Sequence, residues 1–168
     1  RPPAGTMAFE GHAITGSPAF RISRMGIGRT FQNIRLFGEL SVLDNVKVAL
    51  QRQSQPSLIG TLISSPSFRR AERDLDARAM ELLELFGLAG QHRRSARHLP
   101  YGDQRRLEIA RAVATGPKVL LLDEPNAGMN PIETQDLLRL IRRLRDELRI
   151  TIVLVADGIP AVLNLADR

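Results

Sequence analysis

The sequence predicts an α/β fold in which helices pack on a parallel β-sheet. Two short apolar runs, 119–123 and 151–155, have the length and aliphatic composition of strands. Neither alternates polar with apolar residues, which is typical of strands covered on both faces. The segment between them, 131–148, repeats apolar residues at helical spacing. Together the three segments predict a strand–helix–strand unit, whose crossover should be right-handed.

The first forty residues are expected to form short elements of the same sheet layer. In order, these are a turn at 2–5, a strand at 6–10, a helix that begins after a capped Gly-Ser-Pro start at 16–18 and ends near residue 25, and a brief strand at 27–32. Glycine and proline punctuate each boundary, because they favour turns over regular structure.

A helical block is predicted from about residue 41 to 98. Ser41 precedes an apolar helical repeat and Asp44 lies three positions later, a pattern typical of a capped helix start. Residues 54–67 contain two prolines and five serines and are expected to form a loop. The apolar positions of 68–85 lie on one face of a helix. A further helix should open at Gly102.

Composition sets limits on function. The 168 residues suit one domain, and the absence of cysteine excludes disulfides and cysteine-ligated metals. The net charge of +6 favours an anionic partner, although solvated arginines on helix surfaces explain it equally simply. Aromatic residues are only 4% of the chain, which argues against a base-stacking surface, so we expect no nucleic-acid partner.

The acids that end the first apolar run carry the strongest chemical signal. Asp123 and Glu124 would emerge at the carboxyl end of a strand, where open α/β sheets bind their ligands. There Asp123 could hold Mg²⁺ and Glu124 could deprotonate an attacking water. Many strands also end in acids without any function. Gly102 strengthens the chemical interpretation, because a helix start with close backbone access favours phosphate.

Four segments in this order resemble an ABC-type ATPase subunit, most closely those of branched-chain amino acid importers. They are "GRTFQNIRLFGELSVLDNV" (28–46), similar to the glutamine loop; "YGDQRRLEIARAV" (101–113), similar to the signature helix; "LLLDEP" (120–125), similar to the Walker B strand; and "AGMNP" (127–131), similar to the D-loop. The resemblance implies a P-loop NTPase-like core with an inserted helical subdomain. Its implied divisions are core at 1–40, helical subdomain at 41–98 and core again at 99–168.

The resemblance also implies cofactors and roles for individual residues. It implies ATP and Mg²⁺, with Glu124 as the catalytic base, Asp123 as a metal ligand, and Gln32 as a contact to both Mg²⁺ and the lytic water. The residues implied to contact ATP are Tyr101, Gly102, Asp103, Gln104 and Asn130.

The implied partners are a second ATPase subunit and transmembrane permease subunits. The signature segment would cap ATP held by the opposite subunit, so the working unit would be a head-to-tail dimer. The region Leu36–Leu40 would receive a helix of the permease, although its apolar side chains could instead belong to the core. The implied location is the cytoplasmic face of the inner membrane, as a peripheral protein. The transported substrate is not encoded in these segments.

Three departures from the family pattern bear on activity. The chain has no Gly-x-x-x-x-Gly-Lys-Ser/Thr phosphate loop, since neither Lys47 nor Lys118 follows a glycine. In the family that loop lies upstream of the matching segment, so we expect this chain to be a fragment. The family's switch histidine aligns with Asp157, and Pro100 replaces the usual signature serine. A non-catalytic regulatory module is therefore an alternative, and an ABC-type ATPase that acts on DNA is a second.

Overall fold

The computed structural model describes residues 5–30, 34–51 and 66–155, with side chains described from residue 69 onward in the last range. Some predicted features fall wholly or partly outside these ranges. They are residues 2–4 of the turn expected at 2–5, residues 31–32 of the strand expected at 27–32, which include Gln32, residues 54–65 of the loop expected at 54–67, and Asp157.

A β-hairpin opens the described chain where a single strand was expected. Strand β1 (Ala8–Phe9) pairs antiparallel with β2 (His12–Ala13). Glu10 and Gly11 between them both have positive φ, 49° and 78°, as a two-residue type I′ turn requires. The predicted strand at 6–10 was therefore too long at its end, because Glu10 belongs to the turn.

The predicted early helix is present but its cap is not. Helix α1 (Ala19–Arg24) follows Pro18, which occupies the N-cap position and makes no side-chain capping hydrogen bond. The Gly-Ser-Pro start thus acts through the fixed φ of proline and not through the Ser17 hydroxyl.

Three parallel strands form the sheet that positions the predicted acids. Strands β3 (Ile27–Arg29), β4 (Val119–Asp123) and β5 (Thr151–Val155) are arranged in the order β3–β4–β5. The register pairs Ile27 with Val119 and Val119 with Thr151. The bounds of β4 and β5 agree with the sequence prediction.

The sheet is not covered equally on all strands. Leu120 and Leu122 of β4 are buried, whereas Val153 and Val155 of β5 remain 45% and 57% exposed. The expectation that β5 would be buried on both faces was wrong for the described part of the chain. Its apolar composition is that of a covered strand, but what covers a strand is decided by tertiary packing.

Four longer helices pack with β4 into one hydrophobic core. They are α2 (Val42–Gln51), α3 (Pro66–Leu85), α4 (Tyr101–Ala114) and α5 (Pro131–Leu148). Two short 3₁₀ turns, Ala89–Gln91 and Ala96–His98, connect α3 to α4. The buried apolar side chains of all four helices form a cluster with Leu120 and Leu122.

Helix boundaries follow local chemistry in most places. The Ser41 hydroxyl accepts a hydrogen bond from the Asp44 backbone N–H at 3.0 Å, which confirms the predicted cap of α2. Helix α3 begins at Pro66, so the last two residues of the expected loop, 66–67, are helical. Proline is well tolerated in a first helical turn. Within the described ranges, no helix combines the length and apolar character needed to cross a bilayer.

Candidate functional site at the end of strand β4

Asp123, the last residue of β4, lies at the carboxyl edge of the parallel sheet with its side chain 34% exposed. Arg29 approaches from the neighbouring strand β3, and its Nη2 donates to Asp123 Oδ2 at 3.2 Å. The parallel β3–β4 pairing brings the two side chains together across 94 positions of sequence. Sequence reasoning missed Arg29, since nothing local marks it as a partner of Asp123.

Glu124 directly follows the strand in an unusual backbone conformation. Its φ of 43° lies in the left-handed region, which costs free energy for a residue other than glycine. Its N–H donates to the carbonyl of Val155, the last residue of β5, at 2.7 Å. Its own carbonyl accepts from the Ala127 N–H at 3.1 Å. The backbone turn after β4 is therefore fixed on both sides of Glu124.

Arg105 of α4 binds the backbone of the same turn. It is fully buried, at 0% exposure. Its Nη2 donates to the carbonyl oxygens of Asp123 and Glu124, at 3.1 and 2.8 Å. Its Nε donates to the Pro125 carbonyl at 3.2 Å, and its Nη1 donates to Glu108 Oε2 at 2.7 Å. No local pattern signals this role, because arginines are abundant along the helices.

The start of α4 packs against the loop and helix that follow the acids. A Cβ atom on Gly102 would lie 3.3 Å from Glu133 Oε1, and one on Gly128 would lie 3.3 Å from the ring of Tyr101. Gly102 is thus buried against α5, whereas Tyr101 remains 46% exposed. The neighbour of Gly102 in the described chain is a carboxylate, and the predicted approach of a phosphate stays a prediction.

The remaining residues that were predicted to contact nucleotide have local partners. Asn130 Oδ1 accepts from the backbone N–H groups of Ile132 and Glu133, both at 2.9 Å, and so caps α5. Asp103 Oδ2 accepts from Gln91 at 2.8 Å. Gln104 donates from Nε2 to the Leu99 carbonyl at 2.9 Å. These contacts fix the side chains where they stand, and the predicted roles toward ATP stay predictions.

A groove lies beside α4 on the side of Phe37. It encloses about 460 Å³ and is lined by Arg29, Arg35, Phe37, Val48, Ala49, Glu108, Arg111, Ala112 and Thr115. The Arg111 guanidinium lies 4.6 Å from the Phe37 ring centroid. Burial lowers the pKa of Arg111, while the Glu108 carboxylate opposes that shift. Phe37 and Leu40 are 46% and 38% exposed, which does not fit a purely core role for the Leu36–Leu40 region.

The donor set at the strand end fits Mg²⁺ in the way that nucleotide enzymes hold it. Mg²⁺ in such enzymes takes one or two carboxylates and completes its shell with waters and substrate phosphates. Asp123 would supply the carboxylate, whereas Glu124 is predicted to act as the base. Across the described residues no group of three or more His, Cys, Asp or Glu converges, so a dedicated metal cage is not built there.

Comparison with known proteins decides the family. The sequence profile described as ABC transporter matches residues 1–127. The chain belongs to the ABC transporter family. Membership in the ABC transporter family agrees with the predicted P-loop NTPase-like α/β fold, and one solved structure that the chain matches, at 26% identity, is an ATP-binding cassette of an ABC transporter.

Individual relatives extend the likeness over the whole chain. It is 44% identical over 168 residues to the high-affinity branched-chain amino acid transport ATP-binding protein LivG of Escherichia coli, and 42% identical to BraF of Pseudomonas aeruginosa. Each match covers 100% of this chain and 66% of the relative. Among solved structures, cbiO1 of Clostridium perfringens, part of the ABC transporter complex cbiONQ, matches with a TM-score of 0.78 at 26% identity. That match covers 98% of this chain and 61% of cbiO1.

Proposed function

We propose that this chain supplies the hydrolytic carboxylates and the signature surface of an ATP-binding subunit in an amino acid importer. Asp123 would hold Mg²⁺, and Glu124 would act as the general base toward the attacking water. ATP would be held by a phosphate loop, a motif that the 168 residues do not contain. The importer class is suggested by LivG and BraF, whose names assign them to branched-chain amino acid transport.

One observation carries the proposal: the acids stand at the carboxyl edge of a parallel sheet, on a turn whose backbone is held by contacts from β5 and α4. Val155 binds the Glu124 N–H, Arg105 binds the carbonyls, and Arg29 balances the Asp123 carboxylate. Phosphoryl transfer depends mostly on positioned charge, so a preformed arrangement of this kind suits it.

The remaining parts of the proposal concern partners. Tyr101 and its neighbours would face ATP held by a second subunit, which agrees with the exposure of Tyr101. The groove beside Phe37 would receive a helix of a permease, and the subunit would lie at the cytoplasmic face of the inner membrane. Gln32 would contact Mg²⁺ and the lytic water, and it lies outside the described residues.

The test replaces the matching part of LivG with this chain, giving a LivG chimaera that retains the flanking LivG segments. We expect Glu124→Gln in the chimaera to lower phosphate release by about a hundredfold or more while ATP binding persists, because a lost general base costs at least that much. Glu84→Gln, a matched change at an exposed position of α3, should leave the rate unaltered. Equal rates for Glu124→Gln and the parent would show that Glu124 is not the base.

A non-catalytic regulatory module is the second candidate, and the observation that favours it is Asp157. This residue aligns with the family's switch histidine and would place a negative charge where a proton donor is expected. For that reason phosphate release is measured in both the parent chimaera and its Asp157→His variant. A chimaera that binds ATP yet stays inactive in both forms would support the regulatory module.

A further inference from the structure

We propose that Arg105 is a positioning residue, which holds the backbone turn at Asp123–Pro125 so that the Glu124 carboxylate keeps a fixed direction. The expected effect on catalysis rests on the proposed function. The structural part concerns the described chain alone, and it can be tested without nucleotide.

Arg105 makes three consecutive carbonyl contacts. Its Nη2 donates to the carbonyl oxygens of Asp123 and Glu124, and its Nε donates to that of Pro125, all within 3.2 Å. The planar guanidinium carries five donors in a rigid fork, whereas a lysine ammonium is a compact point charge on a flexible stem. Only arginine can therefore hold several carbonyls in one fixed geometry from this position.

The conformation that Arg105 supports is one that the chain does not prefer. Glu124 has a φ of 43°, and such residues persist only where the surroundings over-determine them. The Val155 contact fixes the N–H side of Glu124, and Arg105 together with the Ala127 N–H fixes its carbonyl side. Without Arg105 the peptide after Glu124 could rotate toward an ordinary conformation, and its carboxylate would turn away with it.

The ionic partner of Arg105 indicates that the pair serves position more than stability. Glu108 binds Nη1 through Oε2 at 2.7 Å, with both side chains buried. Its other oxygen, Oε1, is buried without a hydrogen-bond partner among the described residues. A buried ion pair stabilises a fold only when its remaining polar atoms are satisfied, and apolar replacement of both partners is often neutral or stabilising.

That property allows a variant that stays folded but loses the contacts. Arg105→Met/Glu108→Met removes both buried charges together, so neither is left facing an empty partner. The carbonyl oxygens of 123–125 lose their donors, so we expect the variant to stay folded with a lower melting temperature than the parent. Arg106→Met is the matched control, because the neighbouring arginine is partly exposed and pairs with Asp103 and Asp136 instead.

Hydrogen exchange of the 168-residue chain, read by mass spectrometry, is the decisive measurement. In the double variant we expect the amides of 124–129 to exchange about tenfold faster or more, since charge-assisted hydrogen bonds that hold their turn are gone. Amides within α4 and α5 should exchange at the parent rate. Arg106→Met should leave the turn unchanged.

Two exchange results would overturn the proposal. One is a folded double variant in which 124–129 exchange at the parent rate, and the other is a uniform rise across the chain. In the LivG chimaera the same double variant should lower kcat about tenfold and leave KM for ATP within about twofold, because only positioning of the base is lost. An inactive parent chimaera would count against the proposed function and leave the exchange result intact.

Discussion

The turn after β4 and the start of α4 are built in opposite ways. At the turn, residues 123–125 are held by Arg105 and Val155, which come from other elements of the same chain. At the helix start, Pro100 makes no side-chain cap and Tyr101 is 46% exposed. The turn is thus fixed by contacts within the chain, whereas the helix start leaves the Tyr101 side chain exposed next to side chains that have internal partners.

This difference would suit the two tasks in the proposed function. A base and a metal ligand gain from geometry that exists before the substrate arrives, because no reorganisation is then needed during the reaction. A surface that meets ligand on another subunit must stay accessible until the two meet. Three substitutions test this difference between the turn and the helix start.

Among the variants that follow, the largest effect is expected at Asp157, which would repel the γ-phosphate of ATP at the switch-histidine position. Two unit charges roughly 4 Å apart interact by about 4 kcal/mol at an effective dielectric of about 20. About a third of that is one decade in rate. We therefore expect the parent LivG chimaera to hydrolyse ATP slowly and Asp157→His to accelerate phosphate release by about tenfold or more.

The competing explanation is that Asp157 only caps a helix start, as its place before Gly158 and Pro160 would suit. Asp157→His would then lower the melting temperature and leave turnover unaltered. Measuring both quantities on one pair of chimaeras separates the two explanations.

An intermediate effect is expected at Asn130, whose side chain caps α5. Loss of an N-cap costs about 1 kcal/mol, so Asn130→Ala should lower the melting temperature of the chain by about 2–4 °C. Asn130→Asp keeps an oxygen acceptor for the N–H groups of α5 and should retain stability. If Asn130→Ala has the melting temperature of the parent, the Asn130 cap contributes no stability.

The smallest effect is expected at Arg29, which neutralises Asp123 across the strand pair. Exposed ion pairs contribute about 0.2–1 kcal/mol, so Arg29→Gln should tighten Mn²⁺ binding to the chain by no more than about fivefold. Electron paramagnetic resonance of added Mn²⁺ reports the free ion. Arg97→Gln, which removes the exposed pair with Glu39, is the control. Weaker Mn²⁺ binding in Arg29→Gln would show that Arg29 does not compete for Asp123.

Sequence reasoning succeeded where a local pattern determined the structure. The apolar runs located β4 and β5, the spacing of apolar residues located α5, and Ser41 with Asp44 marked the start of α2. Each of these depends on neighbours in sequence.

It failed where the deciding contact is distant along the chain. Arg29 and Arg105 contact residues of the turn that lie 94 and about 20 positions away in sequence. No local sequence pattern distinguishes either of them from the solvent-exposed arginines of the chain. The exposure of Val153 and Val155 likewise depends on what packs against β5, which its composition does not show. The positive φ of Glu124 has no signature either, since glycine is the usual residue there.

Calorimetric titration with Mg-ATP tests most directly whether the carboxylates and the phosphate-holding loop are separate parts. The 168-residue chain contains the carboxylates but not the phosphate-loop motif, so it should not bind Mg-ATP with low-micromolar affinity. The LivG chimaera should bind Mg-ATP, and Glu124→Gln should preserve that binding. Low-micromolar affinity in the chain alone would contradict the account and reveal a phosphate site within these residues.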